Sequence, residues 1–175
     1  MNFWHGTRER KRFFIYLLIA GIVFAADQTS KNAILDAING TIVKSYGTKK
    51  EIHVFGFLNL VLLWNRGGCF GLMSNVKFIS ILLLTIALAT AMFLLVLLWK
   101  HSDTWDGICF SLILGGTLGN VRDRISHGAV IDFIDFHILQ HHWPSFNVAD
   151  SAIFIGVLLY MLNDLFDRKN RFEKS

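Results

Sequence analysis

Residues 115–150 read GGTLGNVRDRISHGAVIDFIDFHILQHHWPSFNVAD. The stretch opens as an apolar, glycine-rich helix, turns abruptly polar, and ends on an aspartate where the next apolar run begins. Asp123, Asp132, Asp135 and Asp150 all fall inside it, in a chain otherwise about as apolar as a membrane protein. A carboxylate beside lipid is costly, so this stretch is the first place to look for function.

Outside it, composition sets the class. Hydrophobic residues make up 53% of the 175, Phe alone numbers 16, and mean hydropathy is +0.46. A soluble domain of this size cannot hide so much apolar surface. Pro occurs once, so long helices run uninterrupted. Two cysteines, Cys69 and Cys109, make no disulfide framework, and Cys109 reads as a small packing residue in an apolar run. The net charge of +4 sits at the ends of apolar runs, which suits a membrane surface rather than nucleic acid.

Four spans are expected, at residues 13–31, 78–99, 105–122 and 149–167, within a single integral membrane domain covering 1–175. The basic start before FFIYLLIAGIVFAA also fits a cleavable signal peptide, but three further apolar runs follow it. Residues 41–64 alternate in part and are rich in β-branched and aromatic side chains, which predicts short strands at the membrane interface, with Trp64 at the boundary. Residues 100–103 predict a tight turn. Lys and Arg divide almost evenly between the two sides. The dense clusters beside the first and last helices place both termini in the cytoplasm and residues 32–77 and 122–148 outside.

Polar residues then stand out one motif at a time. Asp27 and Lys31 are one helical turn apart and read as an ion pair or a functional pair where the first helix leaves the membrane. Asn65-Arg66-Gly67-Gly68-Cys69-Phe70-Gly71 packs three glycines around an asparagine, which allows close backbone approach. Gly115 and Gly119 give a small-xxx-small spacing for tight helix packing, with Gly116 beside them. Asn120 is placed to hydrogen-bond across helices, and Asp123 beside Arg124 reads as a polar clamp. In AVIDFIDF, Asp132 and Asp135 are surrounded by apolar residues, and only one of them is easily explained as a surface aspartate. Asn147 and Asp150 have the spacing of a capping box opening the last helix. His127, His137, His141 and His142 offer a rival zinc site, but their spacing is irregular.

Together these motifs resemble the lipoprotein signal peptidase (signal peptidase II) family of bacteria, in order and over nearly the whole chain. The matching segments are Asp27-Gln28-Thr29-Ser30-Lys31, residues 65–71, residues 115–124, Val130-Ile131-Asp132-Phe133 and Phe146-Asn147-Val148-Ala149-Asp150-Ser151. The resemblance implies a membrane all-α bundle of four transmembrane helices with a small extracytoplasmic β-sheet cradle within residues 41–64. It implies an aspartic endopeptidase of the bacterial inner membrane that removes the signal peptide from a diacylglyceryl-prolipoprotein, cutting before the lipidated cysteine. Asp132 and Asp150 match the catalytic pair. Asp27, Lys31, Asn65, Gly67, Gly116, Asn120, Asp123, Arg124, Asn147 and Ala149 match supporting or substrate-binding positions. Membrane lipid and the lipidated substrate are the partners expected; no metal, other cofactor or nucleic acid is. Gly68, Cys69 and Thr117 stand where the family usually has alanine, all small.

Two aspartates in a partly dry site share one proton, because like charges do not both ionise cheaply there. Asp150, at a helix N-terminus, is expected to begin as the ionised base, and Asp132, among apolar residues, as the acid. Asp135 is expected to be incidental. A small proton- or ion-coupled transporter is the rival from another class, and would need its charges at mid-membrane. A structural scaffold would leave the polar motifs without a role.

Overall fold

The computed structural model describes residues 3–40, 45–46, 49–67, 77–100 and 103–172. Four long helices and five strands follow in the order α1 (Phe3–Gly40), β1 (Ser45–Tyr46), β2 (Lys49–Phe55), β3 (Leu58–Asn65), α2 (Lys77–Lys100), α3 (Thr104–His127), β4 (Val130–Ile138), β5 (His141–His142) and α4 (Val148–Phe172). Gly68, Cys69, Phe70 and Gly71, and turn residues 101 and 102, lie outside the described residues.

Among the described residues, three stretches are long and apolar enough to cross a membrane: Arg10–Ile38 in α1, Ile79–Lys100 in α2 and Val148–Phe166 in α4. Their outward faces carry exposed Phe14, Leu18, Ile86, Phe93, Phe154 and Met161, as lipid-facing helices do. A helix covers the third expected span, but α3 is not among the three. Gly115, Gly116, Thr117, Gly119 and Asn120 dilute its apolar character, and they are affordable because α3 is central and all five are buried or partly enclosed by α1, α2 and α4.

Glycine makes that close packing possible. A Cβ on Gly115 would meet Ala20 O of α1 at 2.5 Å, and one on Gly116 would meet Ala149 O of α4 at 2.4 Å. One on Gly119 would meet Asp27 Oδ2 at 2.5 Å. The small residues thus bring α1 and α4 against adjacent faces of α3. Next to them, Tyr16, Ala20, Leu94, Leu98, Phe110 and Leu114 form the apolar core shared by α1, α2 and α3.

Asp103 caps α3 by accepting from the N–H groups of Trp105 and Asp106. Its far end closes on Gly128, whose φ of 67° is left-handed and whose N–H donates to Arg124 O at 3.0 Å. That turn sends the chain directly into β4.

The sheet is antiparallel throughout, in the order β1-β2-β3-β4-β5. It extends beyond the expected 41–64 segment: β4, from the stretch between α3 and α4, pairs with β3 through Leu63↔Asp132 and Asn65↔Val130. The first helix also runs nine residues past the expected end at Lys31, to Gly40. The extension has a physical cause. Ile34 and Ile38, one turn apart, pack with Phe133 of β4 and with Ile52 and Leu60 of the hairpin, so the end of α1 forms the floor of the sheet.

Candidate active site

Five elements, α1, α3, α4, β3 and β4, meet where the sheet joins the helices. The first contributor is α1, through Asp27, Gln28 and Lys31, all buried. Lys31 Nζ reaches Asp27 Oδ2 at 2.8 Å, Asp123 Oδ2 at 2.8 Å and Asn120 Oδ1 at 3.2 Å. Three acceptors match the three ammonium protons. The Asp27–Lys31 pair expected from spacing is therefore present, but inside a three-way buried junction rather than at an exposed helix end.

Asp123, expected with Arg124 to clamp helices together, does join α3 to α1 through Lys31, while Arg124, about 100° further round the helix, faces another side. Asp123 Oδ2 also accepts from the Ile131 N–H at 3.2 Å, fixing the strand one residue before Asp132. Arg124 donates to Asn120 O at 3.4 Å and lines the cleft described below.

Gln28 was named only as part of its motif, yet it is a hub. Its amide donates to Asp27 Oδ2 (3.0 Å), Gly119 O (3.2 Å) and Asp123 Oδ1 (3.1 Å), and its carbonyl accepts from Arg122. The only sequence signal was its place beside an aspartate on a helix. Asp27 also accepts from the backbone N–H of Ala149 at 2.8 Å, so α1 holds the first turn of α4.

The expected capping box is present: Asp150 N–H donates to Asn147 Oδ1 at 2.9 Å, and Asn147 N–H donates to Asp150 Oδ2 at 3.3 Å. The same Asn147 donates its side-chain amide to Asp132 Oδ1 at 2.8 Å. One residue therefore touches both aspartates. Each has a second amide donor, Asn65 on Asp132 Oδ2 at 2.9 Å and Asn120 on Asp150 Oδ1 at 2.7 Å. Asn65 in turn accepts from the Gly67 N–H at 3.2 Å, which fixes its orientation.

Burial pushes the Asp132 carboxyl up to about 7; the charge of Asp150 adds to this, and the amide donors of Asn65 and Asn147 oppose it. Asp132 therefore carries its proton up to near-neutral pH. Asp150 accepts from the Asn120 side-chain amide at 2.7 Å and from the Asn147 backbone N–H at 3.3 Å.

Both aspartates line one cleft of about 850 Å³. Asn65, Asn120 and Arg124 share its wall, while Trp64, Trp143, Phe154 and Val157 make it apolar. Ile153, Phe154 and Val157 follow Asp150 at helical spacing, a stripe that an ordinary lipid-facing helix also shows. Trp143, Pro144, Ser145 and Phe146 form part of the rim.

Asp135 is not a surface aspartate. It is 5% exposed, pairs with His142 Nδ1 at 2.9 Å and accepts from Asn59 at 3.3 Å, inside the sheet. His137 and His142 lie 5.0 Å apart ring to ring, and no group of three metal-ligating side chains converges among the described residues.

A family model described as signal peptidase (SPase) II matches residues 19–166. The lipoprotein signal peptidase of Francisella tularensis subsp. novicida (strain U112) is 39% identical over 161 residues, 88% of this chain and 93% of that protein. That of Alteromonas mediterranea is 37% identical over 164 residues, covering 91% and 84%. That of Anaplasma phagocytophilum is 35% identical over 155 residues, covering 89% and 94%. A solved bacterial membrane enzyme superposes with a TM-score of 0.74 at 30% identity, over 89% of this chain and 90% of that one.

Proposed function

Because the chain belongs to the signal peptidase II family of aspartic membrane peptidases, we propose that Asp132 and Asp150 are its catalytic dyad, acting on a diacylglyceryl-prolipoprotein just before the lipidated cysteine. The observation that carries the reading is Asn147, which holds both carboxyls at once on the wall of one cleft.

In the proposed chemistry the pair shares one proton, held at the start by Asp132. The Asp150 carboxylate takes a proton from a water whose oxygen attacks the scissile carbonyl carbon. The Asp132 carboxyl gives its proton to the carbonyl oxygen. Collapse of the resulting gem-diol returns a proton to Asp132, while Asp150 passes its own to the departing amine. Water has been split and the dyad is back at its starting state. Asn65, Asn120 and Asn147 orient the carboxyls; the Asp27–Lys31–Asp123 junction positions those orienting groups. The apolar cleft wall from Trp64 to Val157 suits lipid and the extended peptide around the bond.

In this reading the whole chain is one integral membrane unit of four spans, α3 included, in the bacterial inner membrane. Both termini are cytoplasmic and the sheet lies on the outer face, where water reaches the dyad.

Asp132→Asn and Asp150→Asn are each expected to abolish cleavage of a diacylglyceryl-prolipoprotein in detergent, read by mass spectrometry, while Asp135→Asn retains it. An active Asp132→Asn protein beside an inactive Asp135→Asn protein would overturn the assignment. Undiminished cleavage in chelator is also expected.

A further inference from the structure

Arg122 and Arg124 flank Asp123, and at about 100° per residue they stand on opposite sides of α3. Arg124 faces the catalytic cleft. Arg122 faces a second cavity, of about 510 Å³, formed by α1, α2 and α3 and separate in its lining from the dyad. Its wall is apolar, including Leu17, Phe24, Leu95 and Leu118, until it reaches Arg122 and Ser126 at the end nearer the sheet.

The dimensions match one half of a bilayer. Along α3 the groove runs from Leu114 to Ser126, about 18 Å of helix at roughly 1.5 Å per residue. One leaflet of hydrocarbon is about 15 Å deep. An apolar channel of that length, ending in a guanidinium and a hydroxyl, has the form of an acyl chain and its anionic headgroup. The guanidinium has donors beyond the one it gives to Gln28 Oε1, and arginine pairs well with phosphate oxygens.

We propose that this groove is a binding site for an anionic phospholipid, with one acyl chain along α3 and the phosphate at Arg122. The site is distinct from the substrate cleft and requires only that the bundle span a membrane. It touches the catalytic framework through Arg122 and Gln28, which donates to both Asp27 and Asp123. A bound phosphate would therefore hold the far side of the same network that braces Asn120.

Native mass spectrometry tests this with the full chain, offered equal amounts of phosphatidylglycerol and phosphatidylcholine of matched chains. Phosphatidylglycerol adducts should exceed phosphatidylcholine adducts about fivefold, the ratio that ~1 kcal/mol per basic side chain at a lipid surface gives. Arg122→Gln should bring the ratio to about one and Arg122→Lys should keep it. Gly21→Leu should lower adducts of both lipids, since Gly21 lines the groove and a Cβ there meets nothing within 4 Å. A ratio near one in the parent protein overturns the proposal, as does an unchanged ratio in Arg122→Gln or unchanged adduct levels in Gly21→Leu.

Discussion

Removing the Lys31 ammonium should cost this protein more stability than almost any other single change outside its apolar core. The side chain is 1% exposed and donates to three acceptors, two of them carboxylates at 2.8 Å that are themselves 0% and 1% exposed. Lys31→Met keeps the length of the chain and deletes the charge. It leaves Asp27 and Asp123 buried with no cation between them. Breaking a buried ion pair from one side costs about 3–5 kcal/mol, and here one cation serves two anions, so the upper end applies. At roughly 2–4 °C per kcal/mol for a chain of this size, the melting temperature should fall by about 10–20 °C. Tryptophan fluorescence during heating at a fixed scan rate, in one detergent, reads the change. A second variant separates charge from packing: Asp123→Asn added to Lys31→Met removes one orphaned anion and should recover part of the loss, with a coupling of about 1–3 kcal/mol. A Lys31→Met protein that melts within about 3 °C of the parent would refute the electrostatic account, as would a double variant no more stable than the single.

Other outcomes are expected from the same geometry. Cleavage should decline as pH rises above about 7, where Asp132 loses the proton it donates. Stability carries the same sign. The native state keeps a proton that the unfolded chain releases near the ordinary carboxyl value of 3.8, so the Asp132 contribution is full below that pH and is lost as pH rises through about 7. Asp132→Asn should remove that decline from a pH series of melts. Asn147→Ala removes the α4 cap and the link between the carboxyls; about 1 kcal/mol of stability and roughly 100-fold in cleavage rate should go with it. Gly116→Ala drives a methyl to 2.4 Å from Ala149 O and should cost about 1–3 kcal/mol, whereas Gly21→Ala, opening into free space, should melt no lower than the parent.

Much of the site could be read in the sequence because polar residues are conspicuous in an apolar chain. Asp27, Lys31, Asn120 and Asp150 fall on the helices the sequence reading gave them, and the capping box of Asn147 and Asp150 has the partners its spacing implied. The dyad's strand was harder. In β4 both faces are covered at the start, so Val130, Ile131, Asp132 and Phe133 are all buried and the alternation that marks a half-exposed strand is absent. Asp135 looked superficial because its partners, Asn59 and His142, come from two other strands. Asp123 was read as part of a clamp between helices, but the sequence did not name its cation, which lies 92 positions earlier on α1. Gln28 carried no charge to draw attention, and its role depends wholly on what packs around it.

The junction at Lys31 also bears on how such a chain enters a bilayer. Inserted alone, α3 would bring Arg122, Asp123 and Arg124 with it, each costing about 2.5–3.5 kcal/mol if it reached the centre of a helix in lipid. The cation that neutralises Asp123, and the glutamine that receives Arg122, both belong to α1. If α3 crosses the bilayer as proposed, its buried charges are matched only when it packs against a helix that precedes it in the chain by some 90 residues. On that reading the contacts that orient the proposed dyad are also the ones that make α3 compatible with lipid, and a lesion at Lys31 is expected to lower the amount of membrane-integrated protein, measured by fractionation.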